Sequence, residues 1–140
     1  MSASSEKFNT EKAPAPVGLY PHARKVGDLL FLSGIGPREA GTSNIPGLEL
    51  DKNGNMLAFD FEAQCHSVFQ NVKTVLEASG SDWSKLVDVT VFLVDMQRDF
   101  QTFNRVYAEY FKDNQPCRTT MEANCLPTPI AIELKCIATV

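Results

Sequence analysis

The chain has 140 residues, 44% of them hydrophobic, which is one ordinary domain with enough apolar material for a core. Its 13 Lys and Arg are outnumbered by 17 Asp and Glu, giving a net charge of −4. With no cationic cluster larger than His22-Ala23-Arg24-Lys25, that balance argues against nucleic-acid binding.

Residues 1–16 are polar and proline-bearing and are expected to be loosely held, ahead of a single domain over 17–140. Met1–Lys12 lacks an apolar signal-peptide core, and no apolar run nears the ~18 residues that span a bilayer, so no membrane partner is expected. His22–Val26 and Leu29–Ser33 read as two strands around a Gly27-Asp28 turn. Gly34–Asn55, rich in Gly, Pro, Asn and Asp, reads as one long loop containing a turn at Asp51–Gly54.

Phe61, Cys65, Val68, Val72 and Val75 recur every three or four residues, which predicts a helix capped by Asp60 and ended by Gly80. Leu86–Val94 is apolar on both faces and predicts a doubly buried strand. Asp95–Phe111 predicts a second helix with Phe100, Phe103, Tyr107, Tyr110 and Phe111 on its apolar face. Arg118–Cys125 and Ile130–Val140 read as the last two strands. The order β-β-α-β-α-β-β predicts an α+β fold with two helices on one face of a sheet. The other face keeps apolar positions that another subunit should cover, so an oligomer is expected.

Cys65, Cys117, Cys125 and Cys136 form no CxxC pair, and His22 and His66 have no metal-ligand spacing. A reducing, cytoplasmic setting without a metal is the simplest reading. Chemistry concentrates near the C-terminus. Arg118 has the side chain best shaped to hold a carboxylate by two parallel hydrogen bonds. Glu133 lies in the apolar run Ile132-Glu133-Leu134, where a carboxylate is costly without a partner or a task. If a simple hairpin joins the last two strands, Glu133 falls opposite Glu122, with Arg118 about 13 Å further along. The two would then bracket a small acid rather than bond to each other.

The chain resembles the Rid (reactive intermediate deaminase, YjgF-like) family. The matching pieces are Ala13-Pro14, Gly18-Leu19-Tyr20, Leu32-Ser33-Gly34, Phe69-Gln70-Asn71-Val72, Leu76–Gly80, Asp88–Asp95, Asn104–Tyr107 and the Arg118 to Glu133 signature with Leu126-Pro127. The resemblance implies a chorismate-mutase-like fold and a cytosolic homotrimer with sites between subunits. It implies hydrolysis of enamines or imines of small acids, without metal or organic cofactor. By position, Arg118 would bind the substrate carboxylate and Glu133 would orient or activate water. Tyr20, Ser33 and Gly34 would line the cleft, and Asn104 would approach from the neighbour. Thr120 stands where the family often has Cys, which excludes a thiol nucleophile there and leaves the backbone amide to bind an oxygen.

The extended segment Ile35–Gly47 looks like the 2-aminomuconate deaminase branch. A muconate-type substrate has two carboxylates, and Arg38 is the expected second clamp, with His22 or Arg24 behind it. A broad deaminase of 2-aminoacrylate-like intermediates is the alternative enzyme reading. A non-catalytic small-acid-binding or partner-binding trimer is the alternative of another class.

Overall fold

The structure, a computed structural model, describes residues 5–140. Its strands are β1 (Ser5–Phe8), β2 (Ala23–Val26), β3 (Leu29–Leu32), β4 (Leu48–Leu50), β5 (Met56–Phe59), β6 (Leu86–Leu93), β7 (Cys117–Glu122) and β8 (Ile132–Thr139). The helices are α1 (Phe61–Ala78) and α2 (Met96–Phe111). Six strands form one mixed sheet in the order β1-β2-β3-β8-β6-β7, and β4 pairs with β5 separately. Both helices cover one face, the architecture expected from the sequence.

Local chemistry explains the element ends. Asp60 accepts from the Ala63 amide at 3.3 Å and starts α1. Its end is a Schellman motif, with Ser81 N–H on the Leu76 carbonyl, Gly80 N–H on that of Glu77, and Gly80 at φ 79°. Asp95 caps α2 through the Arg98 amide at 3.0 Å. Gly27 at φ 61° fits the first position of a type II′ turn between β2 and β3.

Three strands lie where none was expected. Ser5–Phe8, read as part of a loose N-terminal segment, is an edge strand in register with Ala23–Val26. Residues 1–4 of that segment lie outside the described residues. β4 lies within the long loop and pairs with β5, just beyond it, in a hairpin whose turn Asp51 organises by accepting the Asn53 and Asn55 amides at 2.8 and 2.9 Å.

The largest correction concerns the C-terminal strands. β7 and β8 do not form a hairpin. β7 runs parallel to β6, whereas β8 inserts antiparallel between β3 and β6. Leu93 is the partner of Glu122, and Phe92 is the partner of Glu133. The residues between them cross over the end of β6, so Glu122 and Glu133 are never opposite each other.

The core lies between the sheet and the helices. Val89, Val91, Leu93, Ile132, Leu134, Cys136 and Ala138 are buried against α1 and α2. Phe69 packs among Trp83, Phe103, Tyr107, Tyr110 and Phe111, with ring centroids 4.6 to 6.4 Å away. On the opposite face Val26, Leu29, Phe31 and Met121 are exposed. Among the described residues no helix is long and apolar enough to cross a membrane.

Phe69→Ala removes the hub of the aromatic cluster and should destabilise the protein by about 3–5 kcal/mol in urea unfolding. Leu57→Ala, at a site 67% exposed, should stay within about 0.5 kcal/mol. Equal effects would mean that Phe69 is not the organising side chain.

Candidate functional site

The site is built around β8. Its side chains alternate: Ile132, Leu134 and Cys136 enter the core, whereas Glu133, Lys135 and Ile137 project from the other face. Phe31 pairs with Ile137, yet Ile35 bridges Leu134, so four steps along one strand match three along the other. The extra residue lies at Ser33–Gly34, a bulge next to Glu133. A Cβ on Gly34 would stand 2.8 Å from Glu133 Oε2, so the glycine lets the carboxylate lie against the backbone.

Glu133 faces a cavity of about 180 Å³. Tyr20, His22, Ser33, Gly34 and Arg38 share its wall, together with the segment Ala13–Val17 and the loop residues Pro127, Thr128 and Ile130. Glu133 has no hydrogen-bond or ion-pair partner among the described residues, and its burial raises its pKa above the ordinary glutamate value. Lys135, two residues on, does not pair with it; its ammonium donates to the Leu32 carbonyl. Burial also lowers the Lys135 pKa.

Arg38 is placed from α1. Asn71 donates to the Gly36 and Arg38 carbonyls at 2.9 and 2.8 Å, and Ser67 donates to that of Pro37 at 2.6 Å. The Arg38 guanidinium donates to the Ala15 carbonyl. His22 is in the wall as well, but Arg24 is not: its Nε donates to Ser5 Oγ at 2.8 Å, at the sheet edge. Ser33 Oγ donates to the Pro21 carbonyl at 2.7 Å, which holds the loop that carries Tyr20.

The other candidates gather elsewhere. Arg118 pairs with Val89, a helix-facing residue, and its guanidinium lies 4.7 Å from the Tyr107 ring and 5.2 Å from that of Phe103. No carboxylate pairs with it among the described residues. Thr120 follows on the same face, its Oγ1 buried without a hydrogen-bond partner. Asn104, on α2, lies one helical turn from both Phe100 and Tyr107 and so belongs to this flank. Burial raises the Tyr107 pKa to about 12, against the opposing pull of Arg118.

Arg118 and Glu133 therefore project from opposite faces of the sheet, on strands separated by β6. The expectation that they bracket one acid within a chain fails, because it rested on the hairpin. The structure divides the candidate residues between two clusters, candidate half-sites: one with Glu133, Tyr20, Ser33, Gly34 and Arg38, the other with Arg118, Thr120 and Asn104.

Comparison with known proteins follows this geometry. The family model described as Endoribonuclease L-PSP matches residues 10–140. Reactive Intermediate Deaminase A, chloroplastic, from Arabidopsis thaliana is 38% identical over 99% of this chain and 67% of its own length. The chain belongs to the Rid family. A RutC family protein of Pyrococcus horikoshii is likewise 38% identical, over 95% of this chain and 96% of its own. The solved structure of a protein of the conserved Rid family from Yersinia pestis superposes with a TM-score of 0.84 at 29% identity, covering 98% of this chain and 100% of that one.

Sequence reasoning missed the Ala13–Val17 wall and the loop residues 127–130. It also missed Gln64, a fully buried side chain whose Oε1 accepts from the Ala131 amide at 2.9 Å and pins the start of β8. A glutamine on the apolar face of a predicted helix was the available signal for this last contact.

Gly34→Ala tests the Glu133 seat. The clash is with the end of a flexible side chain, so stability should change by less than about 1 kcal/mol. Displacing the carboxylate should still reduce turnover by roughly 10²-fold. Loss of folding without selective loss of turnover would contradict this.

Proposed function

We propose that this protein hydrolyses an enamine or imine of a small acid and releases ammonia, with 2-aminomuconate as the substrate. The observation that carries the reading is Glu133: a half-buried carboxylate, unpaired among the described residues, facing a cavity and with a raised pKa. Raising its pKa suits such a group to proton transfer better than an exposed glutamate. The Arabidopsis relative, named a reactive intermediate deaminase, supports the same chemistry.

The reaction asks little of the protein. Protonation of the enamine carbon gives an iminium. Water adds to the iminium carbon and loses a proton to Glu133, forming a carbinolamine. Glu133 returns that proton to nitrogen, the C–N bond breaks, and the hydroxyl proton leaves to solvent in place of the one taken up at carbon, leaving a carbonyl and ammonia. Positioning and one acid–base group supply much of the rate. Arg118, Thr120 and Asn104 would hold the substrate carboxylate. Tyr20, Ser33 and Gly34 would shape the pocket, and Arg38 would face the second carboxylate of a muconate-type substrate.

Because the two half-sites lie on opposite faces, the reading places each complete site between copies of the chain in a homotrimer. The exposed Val26, Leu29, Phe31 and Met121 support burial of the open sheet face in such an assembly. Association also supplies the missing part of the site, which a single chain cannot close on itself.

Ammonia release from 2-aminomuconate and from 2-aminoacrylate should fall at least 10²-fold in both Arg118→Ala and Glu133→Gln, with wild type preferring 2-aminomuconate. Unfolding and reassembling the two variants together at equal ratio should restore roughly a quarter of the sites, since only some interfaces receive both intact halves. No recovery would place Arg118 and Glu133 in the same subunit's site and overturn the composite arrangement. Full activity in Glu133→Gln would favour a binding-only role for that residue.

As a base, Glu133 works ionised, so kcat/KM should rise as pH increases through its pKa. That acidic limb should lie above the ordinary glutamate range, and Glu133→Gln should lack it.

A further inference from the structure

The segment Ala13–Val17 forms one wall of the cavity, yet no backbone–backbone hydrogen bond holds it among the described residues. Its polar fastenings are three side chains of the cavity wall. His22 Nε2 lies 2.7 Å from the Pro14 carbonyl, Arg38 reaches the Ala15 carbonyl, and the Tyr20 hydroxyl lies 3.2 Å from the Val17 amide.

The His22 bonds define its tautomer. The Thr10 amide can only donate to Nδ1, at 3.2 Å, and the Pro14 carbonyl can only accept, so the proton is on Nε2. His22 thus makes a neutral tie, and so does Tyr20. Only the middle tie, from Arg38, carries a charge. Pro14 and Pro16 restrict the backbone between the ties, so this strap moves as a short stiff piece. It is anchored at the buried Ala13 and can turn at Gly18, whose Cα side closely faces the Tyr20 ring.

The three ties respond differently to an entering anion. A carboxylate offers Arg38 two parallel charge-assisted bonds in place of one bond to a neutral carbonyl. It offers no comparable gain to His22 or Tyr20. Among the described residues, Arg38 is also the only permanently cationic side chain in the wall of this cavity. A second carboxylate on a substrate whose reacting carbon lies at Glu133 would meet it.

We propose that Arg38 selects diacid substrates by exchanging the Ala15 carbonyl for the second carboxylate, which releases the Ala13–Val17 strap at its middle. The strap then lifts for a diacid and stays fastened for a monoacid. The shift is driven only by the difference in affinity between the two strap positions. This inference rests on the cavity being the deaminase site.

The test is hydrogen exchange followed by mass spectrometry on the full chain. Cis,cis-muconate serves as an unreactive diacid, and sorbate is its monoacid counterpart of equal carbon count. Muconate should speed exchange several-fold at Val17, whose amide donates to the Tyr20 hydroxyl, and sorbate should not. Arg38→Gln should exchange fast at this amide without ligand and show no muconate response. Its KM for 2-aminomuconate should rise roughly tenfold or more, with kcat less affected.

Equal responses to muconate and sorbate, slower exchange with muconate, or wild-type exchange in Arg38→Gln would each overturn the proposal. Ammonia release from 2-aminomuconate, measured on the same preparation, separates the two readings. Turnover with an unresponsive strap removes only the strap exchange. A diacid-specific strap response without turnover upholds the exchange and removes the deaminase assignment.

Discussion

β8 is antiparallel to both of its neighbours, and its register decides on which face Glu133 falls. Four of its residues are buried and the four alternating with them are half-buried. A shift by one residue would turn Glu133 into the core and expose Leu134. The hydrophobic face against α1 and α2 therefore holds the carboxylate in place without touching it. The bulge at Ser33–Gly34 then brings the β3 backbone against that carboxylate. Packing fixes the direction of Glu133, and a missing Cβ gives it room.

Much of this was legible in the sequence, and the parts that were not share a cause. The helices, the Asp60 cap and the Gly27-Asp28 turn follow from local chemistry and period. Apolar patterning also marked Leu86–Val94 and Ile130–Val140 as strands. It could not give their partners. Two late strands joined by a proline-bearing loop read naturally as a hairpin, yet β8 is taken by β3 and β6 together. β1 escaped notice because Ser-Glu-Lys-Phe is short and polar, and at a sheet edge it needs few apolar contacts.

The candidate site shows the same division. Residue type singled out Arg118, shaped to hold a carboxylate, and Glu133, a carboxylate in an apolar run. Their separation onto two faces depended on strand order and stayed hidden. Arg38 was noticeable in a long loop, but its neighbour here is a backbone carbonyl, which no residue type announces. His22, expected behind Arg38, ties the strap as a neutral ring. Gln64 and Asn71 are further cases: each uses a side-chain amide to hold a backbone segment that residue identity alone does not pair with it.

One physical pattern links both half-sites. Their charged groups are held by neutral surroundings. Arg118 rests on the faces of Phe103 and Tyr107, where the ring quadrupole attracts it without neutralising it. Arg38 meets a peptide carbonyl. Glu133 lies against Gly34 and has no cation partner among the described residues. An ion pair in any of these places would orient the side chain equally well, but a substrate would then have to break it. Aromatic rings, a carbonyl and a glycine hold the charges in position while leaving them available to a ligand. Under the proposed function, a small acid or a neighbouring subunit would supply the partners these charges lack among the described residues. That is why the open sheet face and the cavity belong to one argument: association between chains would complete the same charges that substrate binding uses.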